Sequence, residues 1–245
     1  MPVAPSSSGA YRGRAWRVVE AQHRVSTLKL VDSGREQALL EDILEASKPA
    51  LPAECRGLHY LLATPFRYAT YPHGSRFRRA GMTPGVFYGA EAVDTALAEM
   101  AFYRLLFFAE SPRTPLPANA ADLTAFSTLV ATDSHFDLTR PPLDEDNALW
   151  TQTRDYAACQ SLADLARAED ADIIRYRSVR DPRGRANLAV LSARAFAEKK
   201  PSRLESWKLY IGRNSVTALR DFPARRLEFP RAGFAADPRL AEKST

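Results

Sequence analysis

Glu99 is the residue whose surroundings most demand a chemical explanation. It stands among Ala98, Met100, Phe102 and Tyr103, inside a run from Val93 to Phe108 that is apolar at most positions. A glutamate is almost never fully buried alone, so it needs a hydrogen-bonding partner or a charge-stabilising task. Pairing with one of the chain's many arginines is the structural alternative. Upstream, Arg67-Tyr68, Arg76-Phe77-Arg78-Arg79 and Tyr88 set guanidinium groups beside aromatic rings. Guanidinium forks hold phosphate, and aromatic faces stack on planar rings. The same residue types serve a nucleic-acid groove or a solvated basic loop. Ser178, within Arg177-Ser178-Val179-Arg180, ends an apolar stretch. It is placed to hold a ligand hydroxyl or to orient a carboxylate. No G-x-S-x-G surrounds it, which argues against a hydrolase nucleophile. Gln160 lies four residues after Tyr156, on the same helical face.

Several function classes drop out. The chain has no P-loop or dinucleotide-binding glycine motif. Cys55 and Cys159 are far apart, and the four histidines are scattered, so neither a zinc site nor a disulfide framework is implied. A reducing, cytoplasmic setting fits that cysteine usage. No stretch reaches the ~18 apolar residues of a membrane span, and the N-terminal residues lack the apolar core of a signal peptide. Net charge is +5, with 28 Arg against 6 Lys. That excess favours anionic ligands, although a GC-rich genome produces the same ratio.

The elements that must position these residues follow from periodicity. Residues 1–56 read as a disordered tail followed by a helical extension. Its helix, Arg35–Ser47, carries Leu39, Leu40, Ile43 and Leu44 at helical spacing. Gly57–Ala63 reads as a short strand, with a helix as the alternative, 64–84 as a long loop and Val86–Tyr88 as another strand. Val93–Phe108 is a helix apolar on nearly every face, hence buried. Strands are expected at 122–131, 136–138, 173–179, 187–191, 204–211 and 216–219. A second amphipathic helix is expected at 155–168. The turn Asp181-Pro182-Arg183-Gly184 joins two of the strands. The mixed order predicts an α+β domain over 57–230, with a loose tail at 231–245.

This ordered set resembles the RES-domain family, the toxins of RES–Xre toxin–antitoxin pairs. The matching elements are Phe66-Arg67-Tyr68, Gly74-Ser75-Arg76-Phe77-Arg78, Phe87-Tyr88, and Glu99 eleven residues beyond Tyr88. Tyr156-Ala157-Ala158-Cys159-Gln160 and Tyr176-Arg177-Ser178-Val179-Arg180 follow. The family's Gly-Gly-Arg-Trp-Asn element is here Gly-Ser-Arg-Phe-Arg. The resemblance implies a mixed sheet with flanking helices, similar to ADP-ribosyltransferase toxins. It implies an enzyme that cleaves NAD+ at the nicotinamide–ribose bond, with inorganic phosphate as acceptor. A protein mono-ADP-ribosyltransferase is the alternative, and a basic nucleic-acid-binding module ranks third. Glu99 and Arg67 would be catalytic, and Tyr68, Arg76, Tyr88 and Ser178 would bind the substrate. No metal or prosthetic group is implied. The implied partner is an Xre-like helix-turn-helix antitoxin in a multi-subunit complex, with neither a membrane nor nucleic acid contacted directly.

Overall fold

The computed structural model describes residues 9–21, 30–68, 72–81 and 84–241. The rest of the expected terminal tails, 1–8 and 242–245, lies outside the described residues, as do 69–71 and 82–83 of the long loop. Eight strands form one mixed sheet in the order β1-β2-β5-β4-β3-β6-β7-β8, and β1 also pairs with β3. Strand β3 (Ala121–Asp137) anchors it. It runs antiparallel to β1 (Gly9–Glu20) and β6 (Arg203–Ile211), and parallel to β4 (Ile173–Arg177). Strand β5 (Ala186–Val190) lies between β4 and β2 (Phe87–Ala90). Strands β7 (Ser215–Arg220) and β8 (Arg225–Pro230) extend the other flank. The mixed sheet with flanking helices agrees with the α+β expectation.

Gly9–Glu20 is a sheet strand rather than tail and extension, in register with β3 from Gly9↔His135 to Glu20↔Leu123. Ala15, Trp16 and Val18 are buried. Ladder hydrogen bonds come from the backbone, so an arginine-rich segment pairs as well as an apolar one once its partner strand is present. The expected helix does form, as α1 (Gly34–Ala46), capped by Ser33, but it buries none of its residues.

The segment read as a strand at 57–63 is instead a turn leading into α2 (Tyr60–Arg67). Its buried residues, Leu62, Ala63 and Phe66, follow a helical period rather than alternating. The His59 ring accepts a hydrogen bond from the Leu61 amide at 3.3 Å, capping the start. Gly85 closes the following loop against α2. A β-carbon there would lie 1.8 Å from the Pro65 carbonyl oxygen, so only glycine fits.

Helix α3 (Val93–Glu110) packs Leu97, Phe102 and Leu105 onto Trp207, Val216 and Phe229 of β6, β7 and β8. It is not buried all round, because Tyr103 and Phe107 reach solvent. Residues 122–131 and 136–137 belong to one continuous strand, β3, rather than two, and Leu138 lies just past its end. Helix α4 (Ala157–Ala168) buries Cys159, Leu162, Ala163 and Ala166 at helical spacing. The described part of the expected C-terminal tail is also packed: Phe234 and Leu240 join the α3 core, and Asp237 is fully buried. Two isolated apolar residues in a Pro-, Ala- and Arg-rich stretch carry no periodicity, so their burial was invisible to pattern. Among the described residues, no helix is long and apolar enough to cross a membrane.

Candidate active site

Glu99 sits on the second turn of α3 and faces a cavity of about 350 Å³. Two donors converge on its Oε1: Ser178 Oγ at 2.7 Å and Asn187 Nδ2 at 2.7 Å. Oε2 has no hydrogen-bond partner among the described residues. Ser178 is placed by the β4–β5 connection. Its Oγ also accepts from the amides of Arg180 (3.2 Å) and Asp181 (3.1 Å). The hydroxyl is therefore fully used, its one proton directed at Glu99. That makes Ser178 a residue that orients Glu99.

The connection itself is tied to the start of α3. Asp181 accepts from Thr95 Oγ1 at 2.6 Å and from Arg185 Nε at 2.6 Å, and Arg185 also reaches Asp94. Burial works to raise the Asp181 carboxyl, but the bonds from Arg185 and Thr95 outweigh it and hold the group below the usual carboxylate range. Gly184, at φ +60°, allows the turn in which its amide bonds Asp181 O at 2.8 Å. Helix and loop thus meet at fixed register, which brings Ser178 to Glu99 across 79 residues of sequence.

Asn187, from the wholly buried strand β5, was not singled out from sequence. A buried amide in an apolar strand invites the same question as Glu99. Its Nδ2 holds Glu99, while its Oδ1 is buried and has no partner. Asn187 itself is one of the residues lining the cavity. Trp16, Tyr88, Tyr103, Tyr156 and Tyr176 supply aromatic surface around it. Burial and the nearby Glu99 push the Tyr176 phenol well above its ordinary value, so it remains protonated.

Three arginines line this cavity: Arg17, Arg76 and Arg180. Arg180 pairs with the buried Asp237 at 2.8 Å and lies over the Phe102 ring. Arg76 meets the expectation of location but not of freedom. Its Nη1 donates to Trp150 O at 2.5 Å and Nη2 to Gln152 O at 2.9 Å, while the guanidinium stacks on Tyr156. Tyr88 lines the cavity with its ring, and its hydroxyl is held by Ser75 Oγ and the Phe77 amide. Gln160 ties down the same hairpin, donating to the Ser75 and Arg78 carbonyls.

Two expected site residues lie elsewhere. Arg67 is absent from the lining. Its Nε donates to Pro49 O at 2.6 Å, and its Nη1 to Glu45 Oε1 at 2.5 Å. Being the last residue of α2, it is turned toward α1 and the segment after it. Tyr68 lines a second cavity, of about 470 Å³, with Tyr60, His73 and Arg78. The two cavities share Arg17, Ser75 and Tyr88. Among the described residues, no cluster of three or more His, Cys, Asp or Glu could hold a metal ion.

This arrangement can stabilise positive charge at one point, through Glu99, within an aromatic cleft whose walls carry cations. Comparison with known proteins gives a family model, described as the RES domain, that matches residues 51–211. No curated protein matches. Among solved structures, the crystal structure of the M. tuberculosis MbcT–MbcA toxin–antitoxin complex is similar, at 15% identity and a TM-score of 0.45. The match covers 81% of this chain and 86% of that one.

Proposed function

The chain belongs to the RES-domain family, and from that premise we propose that it is the toxin of a toxin–antitoxin pair, cleaving NAD+ with inorganic phosphate as acceptor. The observation that carries the reading is the Glu99 carboxylate, clamped on one oxygen and unpartnered on the other, in an aromatic cavity. The nicotinamide–ribose bond breaks with its electron pair leaving on nicotinamide, and the ribose carbon gains oxocarbenium character. Glu99 Oε2 stabilises that charge and accepts a hydrogen bond from the 2″-hydroxyl. A phosphate oxygen then bonds the same carbon, giving nicotinamide and ADP-ribose-1″-phosphate. Ser178 holds Glu99 in the productive rotamer, and Tyr88 with its neighbouring rings flanks nicotinamide. An Xre-like helix-turn-helix antitoxin covers the cleft in the paired state.

The test is nicotinamide release from labelled NAD+, with and without phosphate. Wild-type protein yields a phosphate-dependent small product. Glu99→Gln keeps the fold by circular dichroism and loses at least about 100-fold in kcat. Label transferred to protein instead establishes the mono-ADP-ribosyltransferase, and undiminished turnover in Glu99→Gln removes Glu99 from the chemistry.

A further inference from the structure

Arg17 lies on β1, outside the segment matched by the family model. On a strand, residues two apart share a face, so Arg17 shares its face with Ala15, buried in a hydrophobic cluster with Phe87, and with Val19, which packs against that cluster. A cation at such a position is costly without a counter-charge. Among the described residues no carboxylate pairs with it. Its protein contacts are one hydrogen bond, Nη1 to Tyr88 O at 3.2 Å, and the Phe87 ring 5.1 Å below the guanidinium. The remaining guanidinium N–H groups are free to bond a ligand. Burial pushes its pKa down to about 10, which still leaves it charged at neutral pH. Arg180 is neutralised by Asp237, and Arg76 donates to two carbonyls. Arg17 is thus the cavity arginine with neither an anionic partner nor a second carbonyl, and it stands where the two cavities meet.

We propose that Arg17 is the phosphoryl-binding residue of the cleft, gripping phosphate oxygens at the junction of the two cavities. The inference rests on the NAD+ reading above. With the nicotinamide end beside Glu99, a dinucleotide reaching into the second cavity passes its diphosphate over this junction. The adenosine end then lies between Tyr60 and Tyr68. Inorganic phosphate offers the same chemistry from a second source. The grip comes from an N-terminal strand, so substrate affinity depends on a segment outside the family match.

The experiment uses the full chain with Arg17→Met and Arg17→Lys, following nicotinamide release. In Arg17→Met, the inhibition constant of ADP-ribose rises about tenfold, the scale of one charge-assisted contact. That of nicotinamide, which carries no phosphate, is unchanged, and Arg17→Lys falls between. A rise confined to the KM for inorganic phosphate assigns the same grip to the acceptor. The melting temperature of Arg17→Met does not fall, because an unpaired partly buried charge is replaced by an apolar chain. Unchanged constants for both phosphate compounds overturn the proposal, as does a parallel rise in all three constants with a lower melting temperature. If wild-type protein releases no nicotinamide, the NAD+ reading fails by itself. Calorimetric titration with ADP-ribose and pyrophosphate then decides Arg17 separately: binding lost in Arg17→Met upholds the site, and binding retained or absent in both proteins overturns it.

Discussion

The Glu99 corner and the arginine loop of residues 66–80 treat their charges in opposite ways. At the corner, Ser178 and Asn187 hold one carboxylate oxygen and leave the other to the cavity. In the loop the guanidinium groups bond the protein itself: Arg67 to Pro49 O and Glu45, Arg76 to Trp150 O and Gln152 O, Arg79 to Asp164. The corner is a device with a vacant valence, and the loop is a wall. Residue type does not separate the two, since arginine is equally suited to a ligand phosphate and to backbone carbonyls. An account of which donors are already satisfied does separate them.

The largest effect should come from the support beneath the corner. Arg180, whose amide caps Ser178, is itself fixed by Asp237, which also accepts from Arg239 at 2.8 Å. Removing one partner of such a buried pair leaves a charge uncompensated. Asp237→Asn should cost about 3 kcal/mol at neutral pH, the low end for buried pairs because Arg239 reaches solvent; urea denaturation measures it. Burial acts to raise the Asp237 carboxyl. The bonds from Arg239 and the charges of Arg180 and Arg239 overcome this and lower it to about 2. A depressed carboxylate stabilises the fold fully above its unfolded value, 3.8, and less as pH falls toward 2. The gap between wild type and Asp237→Asn should therefore be constant near neutrality and narrow through that acid window. A gap that persists unchanged at pH 2 would show that the ion pair is not its source.

Next in size is the clamp. Ser178→Ala and Asn187→Leu each remove one donor to Glu99 and should lower kcat by about ten- to a hundredfold, as expected for hydrogen bonds to a charged group. In the proposed reaction both side chains act on the charge-stabilising carboxylate, so the KM for NAD+ should move much less. Melting curves monitor the fold in parallel. Equal kcat in both variants and wild type would reduce the corner to ordinary packing and dissolve the contrast with the loop.

Sequence carried part of this contrast. Glu99 stood out because a carboxylate in an apolar helix is improbable without cause, and Ser178 because it closed an apolar strand next to charge. Asn187 satisfies the same test within Ala186–Val190, but a strand pattern does not by itself distinguish an amide that holds a carboxylate from any other buried position. Arg17, between Trp16 and Val18, carries no local signal in a segment whose pattern reads as an extension. The pairing that makes it a strand comes from β3, more than a hundred residues away. Local patterns do not report such partners. Helix α4 and strands β6 and β7 were legible because helical spacing and short apolar strand segments are local signals. The packing of Phe234, Asp237 and Leu240 depends on distant contacts and had no local signal.

The smallest effect tests the loop side of the comparison at Arg67, where the family resemblance and the geometry pull apart. The motif Phe66-Arg67-Tyr68 marks this arginine for catalysis, whereas its guanidinium bonds Glu45 on α1, whose side chain is 56% exposed. A pair of that kind contributes little to stability, so Arg67→Ala should shift the melting temperature only slightly. If the pair with Glu45 persists in the working enzyme, kcat and KM for NAD+ should also change by less than about twofold. A large loss of kcat would show that Arg67 leaves Glu45 when substrate arrives, and that α1 competes with the ligand for it. Glu45→Ala then separates the cases. It should leave turnover unchanged if Arg67 belongs to the wall, and lower the KM if the Glu45 pair holds the arginine away from its substrate.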